Sequence, residues 1–269
     1  MIQLQVIIRN GNEQIQPEID NDNGVFMFNH RYRIGDQLEI LFGSSQKRGE
    51  FWNIRLDSTL PETLVYFDQD KWIFKIPVSL EDREVYGPLA FSSSQQFISI
   101  RPAEKWQLER SRNLALNIYD QHSSTAYPHA SANVETRNEA IFAARNVIDG
   151  YIASGAHGYF PYQSWGIDNR EDAELTIDFG RKVQLESVGV VLRTDFPHDS
   201  YWTNGCLNLG SGLNYQLAFE KAATEQIFHI PVTLTSKLKL GQLIKANDQS
   251  TFPSLIELKA YGRELKGGR

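Results

Sequence analysis

"AELTIDFG", residues 173–180, decides the reading of this chain. Leu175, Ile177 and Phe179 alternate with Thr176 and Asp178, the two-residue period of a strand with one face buried and the other wet. Gly180 ends the run. Strand-like segments of the same kind lie on the C-terminal side: "SVGVVLR" (187–193), "CLNLG" (206–210), "NYQLAF" (214–219), "QIFHIPV" (226–232) and "LIELKAY" (255–261). One helix is expected before them, "NEAIFAARNVI" (138–148), capped by Asn138 or Thr136 and carrying a stripe of Ile141, Ala144 and Ile148.

The first hundred residues also read as strands: 2–8, 25–28, 37–42, 52–56, 63–67, 71–76 and 97–101, parted by turn formers at 10–12, 20–24, 34–36 and 43–49. Trp52 and Trp72 alternate with apolar partners and are assigned to the core, and "FDQDKW" (67–72) reads as a hairpin turn. Short strands without an intervening helical period indicate β-sandwiches. Residues 102–112, "PAEKWQLERSR", change character and are taken as a linker. The expected fold is all-β, with an N-terminal β-sandwich domain over 1–101 and a second over 113–269.

Composition removes several function classes. The net charge of the 269 residues is −6 and no basic run exceeds two residues, so nucleic acid is not an expected partner. Cys206 is the only cysteine, which excludes an intrachain disulfide, and no Cys/His cluster has zinc spacing. The opening "MIQLQVIIRNGNEQ" reads as a strand and not as a signal peptide, and no apolar stretch is long enough for a bilayer. The expected location is therefore cytoplasmic, without membrane insertion.

Six segments in order resemble the discoidin, or coagulation factor 5/8 type C, group of galactose-binding-like domains. They are "NLAL" (113–116), "ASANVE" (130–135), "ARNVIDG" (144–150), "SWG" (164–166), "AELTIDFG" (173–180) and "LIELKAYG" (255–262). The resemblance implies an eight-stranded jelly roll that binds, often sugars, through loops at one end. The whole chain is similar to a bacterial type of carbohydrate-binding protein in which this jelly roll follows another β-domain. The resemblance also implies a structural calcium held by Asp149 and Glu257, hard oxygen ligands beside a tight turn. Here the fourteen residues "YIASGAHGYFPYQS" (151–164) intervene before Trp165, a departure that puts the carbonyl cage in doubt. The alternative is that Asp149 caps a turn and Glu257 pairs with an arginine. No other cofactor is expected.

The ligand site is expected in the loop after 187–193. Sugars are gripped by an aromatic face against ring C–H groups and by polar groups on paired hydroxyls. Tyr201 and Trp202 are the candidate platforms, and Arg193, Asp195, His198 and Asp199 the candidate hydrogen-bonding groups. His157, in the inserted loop with Tyr159, Phe160 and Tyr162, would build one wall. Competing readings stand beside these. Adjacent strand residues face opposite ways, so one of Tyr201 and Trp202 packs inward. Arg193 and Asp195 pair with each other, while Phe196 and Pro197 fix the loop. Trp165 belongs to the core, and His122, His129 and His229 are ordinary histidines. Asp195 and Asp199 around His198 also allow an acid/base reading. No nucleophile elbow, phosphate loop or dinucleotide fingerprint accompanies them, so a non-catalytic binder is preferred. A protein partner docking on the same aromatic residues is the other alternative.

Overall fold

The computed structural model describes residues 4–15, 19–20, 23–43, 49–152, 158–196, 199–210 and 212–265. The chain divides into two compact units, Met1–Glu104 with Ser123–Tyr127, and Lys105–His122 with Pro128–Arg269. Both are built almost wholly of antiparallel strands.

In the first unit the strands are β1 (Leu4–Asn10), β2 (Glu13–Gln14), β3 (Ile19–Asp20), β4 (Val25–Asn29), β5 (Asp36–Phe42), β6 (Glu50–Arg55), β7 (Thr63–Phe67), β8 (Lys71–Lys75) and β9 (Gln95–Pro102). A short helix, α1 (Leu80–Arg83), follows β8, with Ser79 as its N-cap. One sheet runs β2-β1-β5-β8, with β3 also on β1, and the other runs β7-β6-β9-β4 with a short strand at Ala126–Tyr127 on β7. The alternation read from the sequence is what fills the space between them. In β8, Trp72 and Phe74 are buried, while Lys71, Ile73 and Lys75 face outward. Phe42 of one sheet meets Trp52 and Phe67 of the other at 4.9 and 4.8 Å, and Phe67 meets Trp72 at 5.1 Å. Such ring pairs add about 0.5–1.5 kcal/mol each beyond their buried area.

Residues 67–72 differ from the expected hairpin. β7 pairs with β6 in one sheet and β8 with β5 in the other, so this segment is a corner between layers. A hairpin would have kept Phe67 and Trp72 in one sheet, and the corner lets both rings enter the core from opposite sides. Gly24 is fixed by close approach: at φ +67° a Cβ there would sit 2.1 Å from the Ile100 carbonyl oxygen.

The second unit begins with α2 (Lys105–Glu109) and β10 (Arg112–Asn113), where a linker was expected. β10 pairs with the last strand, and the Arg112 guanidinium reaches Glu264 at 2.6 Å, so this segment is part of the domain. After β11, the Ala126–Tyr127 strand of the first unit, come β12 (His129–Ala132), β13 (Trp165–Gly166), β14 (Leu175–Leu192), β15 (Trp202–Asn208), β16 (Asn214–Ala218), β17 (Gln226–Lys245) and β18 (Ser254–Glu264). The two strands expected at 174–179 and 187–193 are the ends of one strand, β14, whose ladders shift register between Asp178 and Val183. Its first residues pair with β12 and with the end of β17, its last with β18 and with the start of β17. The long strands thereby bend from one layer into the other. One layer holds β12, the start of β14, the end of β17, β15 and β16; the other holds β18, the end of β14 and the start of β17, with β10 and β13 on β18. This is a jelly roll, the architecture that the discoidin resemblance implies.

The helix expected over 138–148 is absent. Three 3-10 turns, Thr136–Asn138, Ala140–Phe142 and Ala144–Ile148, take its place. Arg137 and Asn138 are left-handed, at φ 54° and 53°, and Glu139 and Ala143 are extended, so no continuous turn can propagate. Side chains capture the freed backbone groups. The Glu135 carboxylate accepts from the Ala144 N–H at 2.8 Å, and the Asn146 amide donates to the Ala140 carbonyl at 2.9 Å.

Candidate functional site

The polypeptide leaves β14 at Leu192 and enters β15 at Trp202, and two buried side chains fix the loop between them. Arg193 is fully buried. Its Nε and Nη2 donate to the two oxygens of Asp195 at 2.7 and 3.1 Å, and its Nη1 donates to the Tyr162 carbonyl at 3.0 Å. It is therefore a bracket tying this loop to the inserted segment, and its fork is spent on the protein. Trp202 is only 1% exposed and lies 6.3 Å from the ring of Trp165 in the core. The stacking role expected of it does not stand, because its face is covered by the domain's own apolar side chains. Tyr201 is half-buried against the same core. His198, Pro197 and His157 lie outside the described residues. In the inserted segment Tyr151 and Phe160 meet edge-on at 5.0 Å, Tyr162 is buried, and Tyr159 is exposed.

What the loop presents to water is Phe196, 84% exposed. Phe252, 51% exposed, lies on the segment between β17 and β18. Both rings line a cleft of about 570 Å³, whose polar lining includes Asp199, Lys221, Asp248, Gln249 and Ser250. The charges are internally matched. Lys221 Nζ reaches Asp199 Oδ2 at 3.3 Å, and Lys245 Nζ reaches Asp248 Oδ1 at 2.7 Å, with the Ser200 hydroxyl donating to the same oxygen at 2.9 Å. The hydrogen bond from Lys221 holds the Asp199 carboxyl below its usual range, and that from Lys245 does the same for Asp248.

Of the expected binding residues, only Asp199 lines this cleft among those described. Sequence reasoning does not reach Phe196 or Phe252 as ligand platforms, nor Lys221, Asp248 and Gln249 as polar partners. A signal for the aromatic pair does exist: Phe-Pro occurs at 196–197 and again at 252–253, as well as at 160–161. A residue before proline is held extended, which suits presenting a ring from a loop.

The carboxylates expected to hold calcium do lie together. Asp149 and Glu257 are both buried. Asp149 accepts from the Tyr151 N–H at 2.8 Å, the turn cap of the alternative reading, and from the Gln163 amide at 3.1 Å. Glu257 accepts from the Gly150 N–H at 3.2 Å through Oε2, while Oε1 is buried without a hydrogen-bond partner. Among the described residues no arginine pairs with Glu257. Burial pushes the Asp149 carboxyl up to about 7, against the pull of Arg145. Burial, and then the charge of Asp149, push Glu257 well above the usual carboxylate range. Two buried acids with one orphaned oxygen fit a hard cation, although no group of three or more His, Cys, Asp or Glu side chains gathers among the described residues. Any further ligands would have to be backbone carbonyls or water.

No family model matches the chain, and no curated protein matches it. Solved structures do. A family 32 CBM from C. perfringens NanJ, in complex with galactose, is 18% identical over 49% of this chain and 91% of its own, with a TM-score of 0.37. A Streptococcus pneumoniae fucose binding module is 13% identical over 57% of this chain and 99% of its own, with a TM-score of 0.42. A chitosan-binding module from a chitosanase/glucanase of Paenibacillus sp. IK-5 is 14% identical over 56% of this chain and 99% of its own, with a TM-score of 0.37. No helix among the described residues is long and apolar enough to cross a membrane.

Proposed function

We propose that the second unit binds carbohydrate in the cleft between Phe196 and Phe252 and leaves the sugar chemically unchanged. The observation that carries this reading is the pair of exposed aromatic side chains that line one cleft together with charged and amide side chains. A pyranose has an apolar C–H face for a ring and an equatorial belt of hydroxyls for charged and amide groups. Asp199 and Asp248 accept from hydroxyl pairs, and Lys221 and Gln249 donate. The same electrostatics argues against hydrolysis. A glycosidic acid must hold a proton near neutral pH, and lysines keep both cleft carboxylates below their usual range.

Calcium, in this reading, is structural. Asp149 and Glu257 would hold it, and the ion would neutralise two buried acids and tie the 149–150 turn to β18.

The test is a calorimetric titration of the full chain with glucose, galactose, mannose, fucose, N-acetylglucosamine, N-acetylgalactosamine and glucuronic acid, and with oligosaccharides ending in each. Phe196→Ala is expected to weaken the binding sugar at least tenfold with the melting temperature unchanged, since the ring is exposed. Absence of heat from every sugar would reject the reading and move the aromatic pair to a protein interface.

A further inference from the structure

A second hollow adjoins the cleft at Phe252. It measures about 200 Å³, and Phe252 lines both it and the cleft. Phe142, Ile167 and Pro253 supply apolar walls, and Asp168 and Asn169 stand at the rim. Two features set this hollow apart from an ordinary surface dimple. First, both loops that shape it are held left-handed at residues other than glycine: Arg137 and Asn138 at φ 54° and 53°, Asp168 and Asn169 at 49° and 62°. Asn and Asp adopt this region readily, so both loops are fixed turns that present a polar rim, and Arg137 alone of the four is a residue type that disfavours it. Secondly, the loops are locked to each other by the Asp168 N–H donating to the Thr136 hydroxyl at 2.9 Å. The Arg137 guanidinium is clamped on Glu139 by two bonds of 2.6 Å and lies 5.3 Å over the ring of Phe142.

We propose that this hollow is a second sugar subsite, continuous with the cleft across Phe252, so that the ligand is an oligosaccharide and not a single sugar. The inference rests on the carbohydrate reading of the cleft. Phe252 serves both subsites, one sugar ring packing on each side of it. Asp168 and Asn169 take hydroxyls of the second ring. Because the two rings are linked, the second binds at the high effective concentration set by the first.

The same titrations, read as ratios, test this. Each monosaccharide is compared with the di- to tetrasaccharides that end in it. For the sugar that binds, the oligosaccharide is expected to bind at least tenfold more tightly than the monosaccharide. Replacing Asp168 and Asn169 together by glycine, which suits their backbone, should bring the oligosaccharide down to the monosaccharide's affinity and leave the monosaccharide unchanged. Asn169→Gly alone provides a second variant should the double substitution disturb folding; it suits the left-handed backbone, keeps Asp168 and should lower the ratio by itself. Equal affinities for monosaccharide and oligosaccharide, or a ratio untouched by both variants, would overturn the second subsite while leaving the cleft intact. No binding to any sugar would overturn both.

Discussion

Two tryptophans and two phenylalanines show how one residue type takes opposite roles through position alone. Trp165 and Trp202 sit on strands and face inward, so their energy goes into the core. Phe196 and Phe252 sit in loops beside prolines and face water. Trp202→Ala should therefore lower unfolding free energy by about 3–5 kcal/mol, the range for deleting a large buried aromatic side chain, as read by denaturant titration. A Trp202 variant that stays fully stable but loses ligand would reverse these roles. Arg193→Met makes a second test at this scale. It removes the bidentate guanidinium from Asp195 and the Nη1 donor from the Tyr162 carbonyl, so a loss of about 3 kcal/mol is expected. Any loss of binding should be secondary to loosening of the loop.

At the scale of elements, strands were legible and corners were not. Thr63–Phe67 appears over the same residues in sequence and structure because apolar alternation is a local signal that burial on one face reinforces. The length of β14 was hidden because Gly180, Arg181 and Lys182 look like a turn, whereas they form the bend by which one strand serves two layers. The loss of the 138–148 helix was equally hidden, since it depends on hydrogen bonds from Glu135 and Asn146 that no local periodicity encodes. At the cleft, Asp199 is the one residue of the expected set that lines it among those described, because a strand pattern gives a loop's position and not the direction each side chain takes. Phe252, the other exposed ring on that cleft, lies more than fifty residues beyond Phe196. The closing strand offers an acid-titration test. Glu264 accepts from Arg181 and Arg112 at 2.6 Å each, and those guanidinium groups hold its carboxyl below the usual range despite burial. A depressed folded-state pKa contributes stability that is present above the unfolded value, about 4.3, and is lost as pH falls through the folded one. Melting temperature should thus drop more steeply below about pH 4.3 in the native protein than in Glu264→Gln, which is already weakened at neutral pH. Parallel curves for the two proteins would remove the clasp from the account.

For the whole molecule, the acids at 149 and 257 impose the opposite slope. Their folded-state pKa values are raised, Asp149 to about 7, so the metal-free folded chain binds more protons than the unfolded one. That contribution is fully present below the unfolded value, about 4, and is lost as pH rises through the folded one. Without divalent ions, stability should fall from the mildly acidic range towards pH 8. Millimolar calcium should restore it, with a larger thermal shift at pH 8 than at pH 5.5, because the ion must displace the protons. Glu257→Gln should remove the calcium response. Identical melting curves with calcium and with chelator at both pH values would make the pair a proton-bearing acid cluster and nothing more.

Sugar in the Phe196–Phe252 cleft is tested by calorimetric titration of the best-binding oligosaccharide into the native chain and into Phe196→Ala. Saturable binding to the native chain is expected, with at least a tenfold weaker affinity in the variant at an unchanged melting temperature. Equal affinity for the two proteins would place the sugar elsewhere and contradict a site in this cleft.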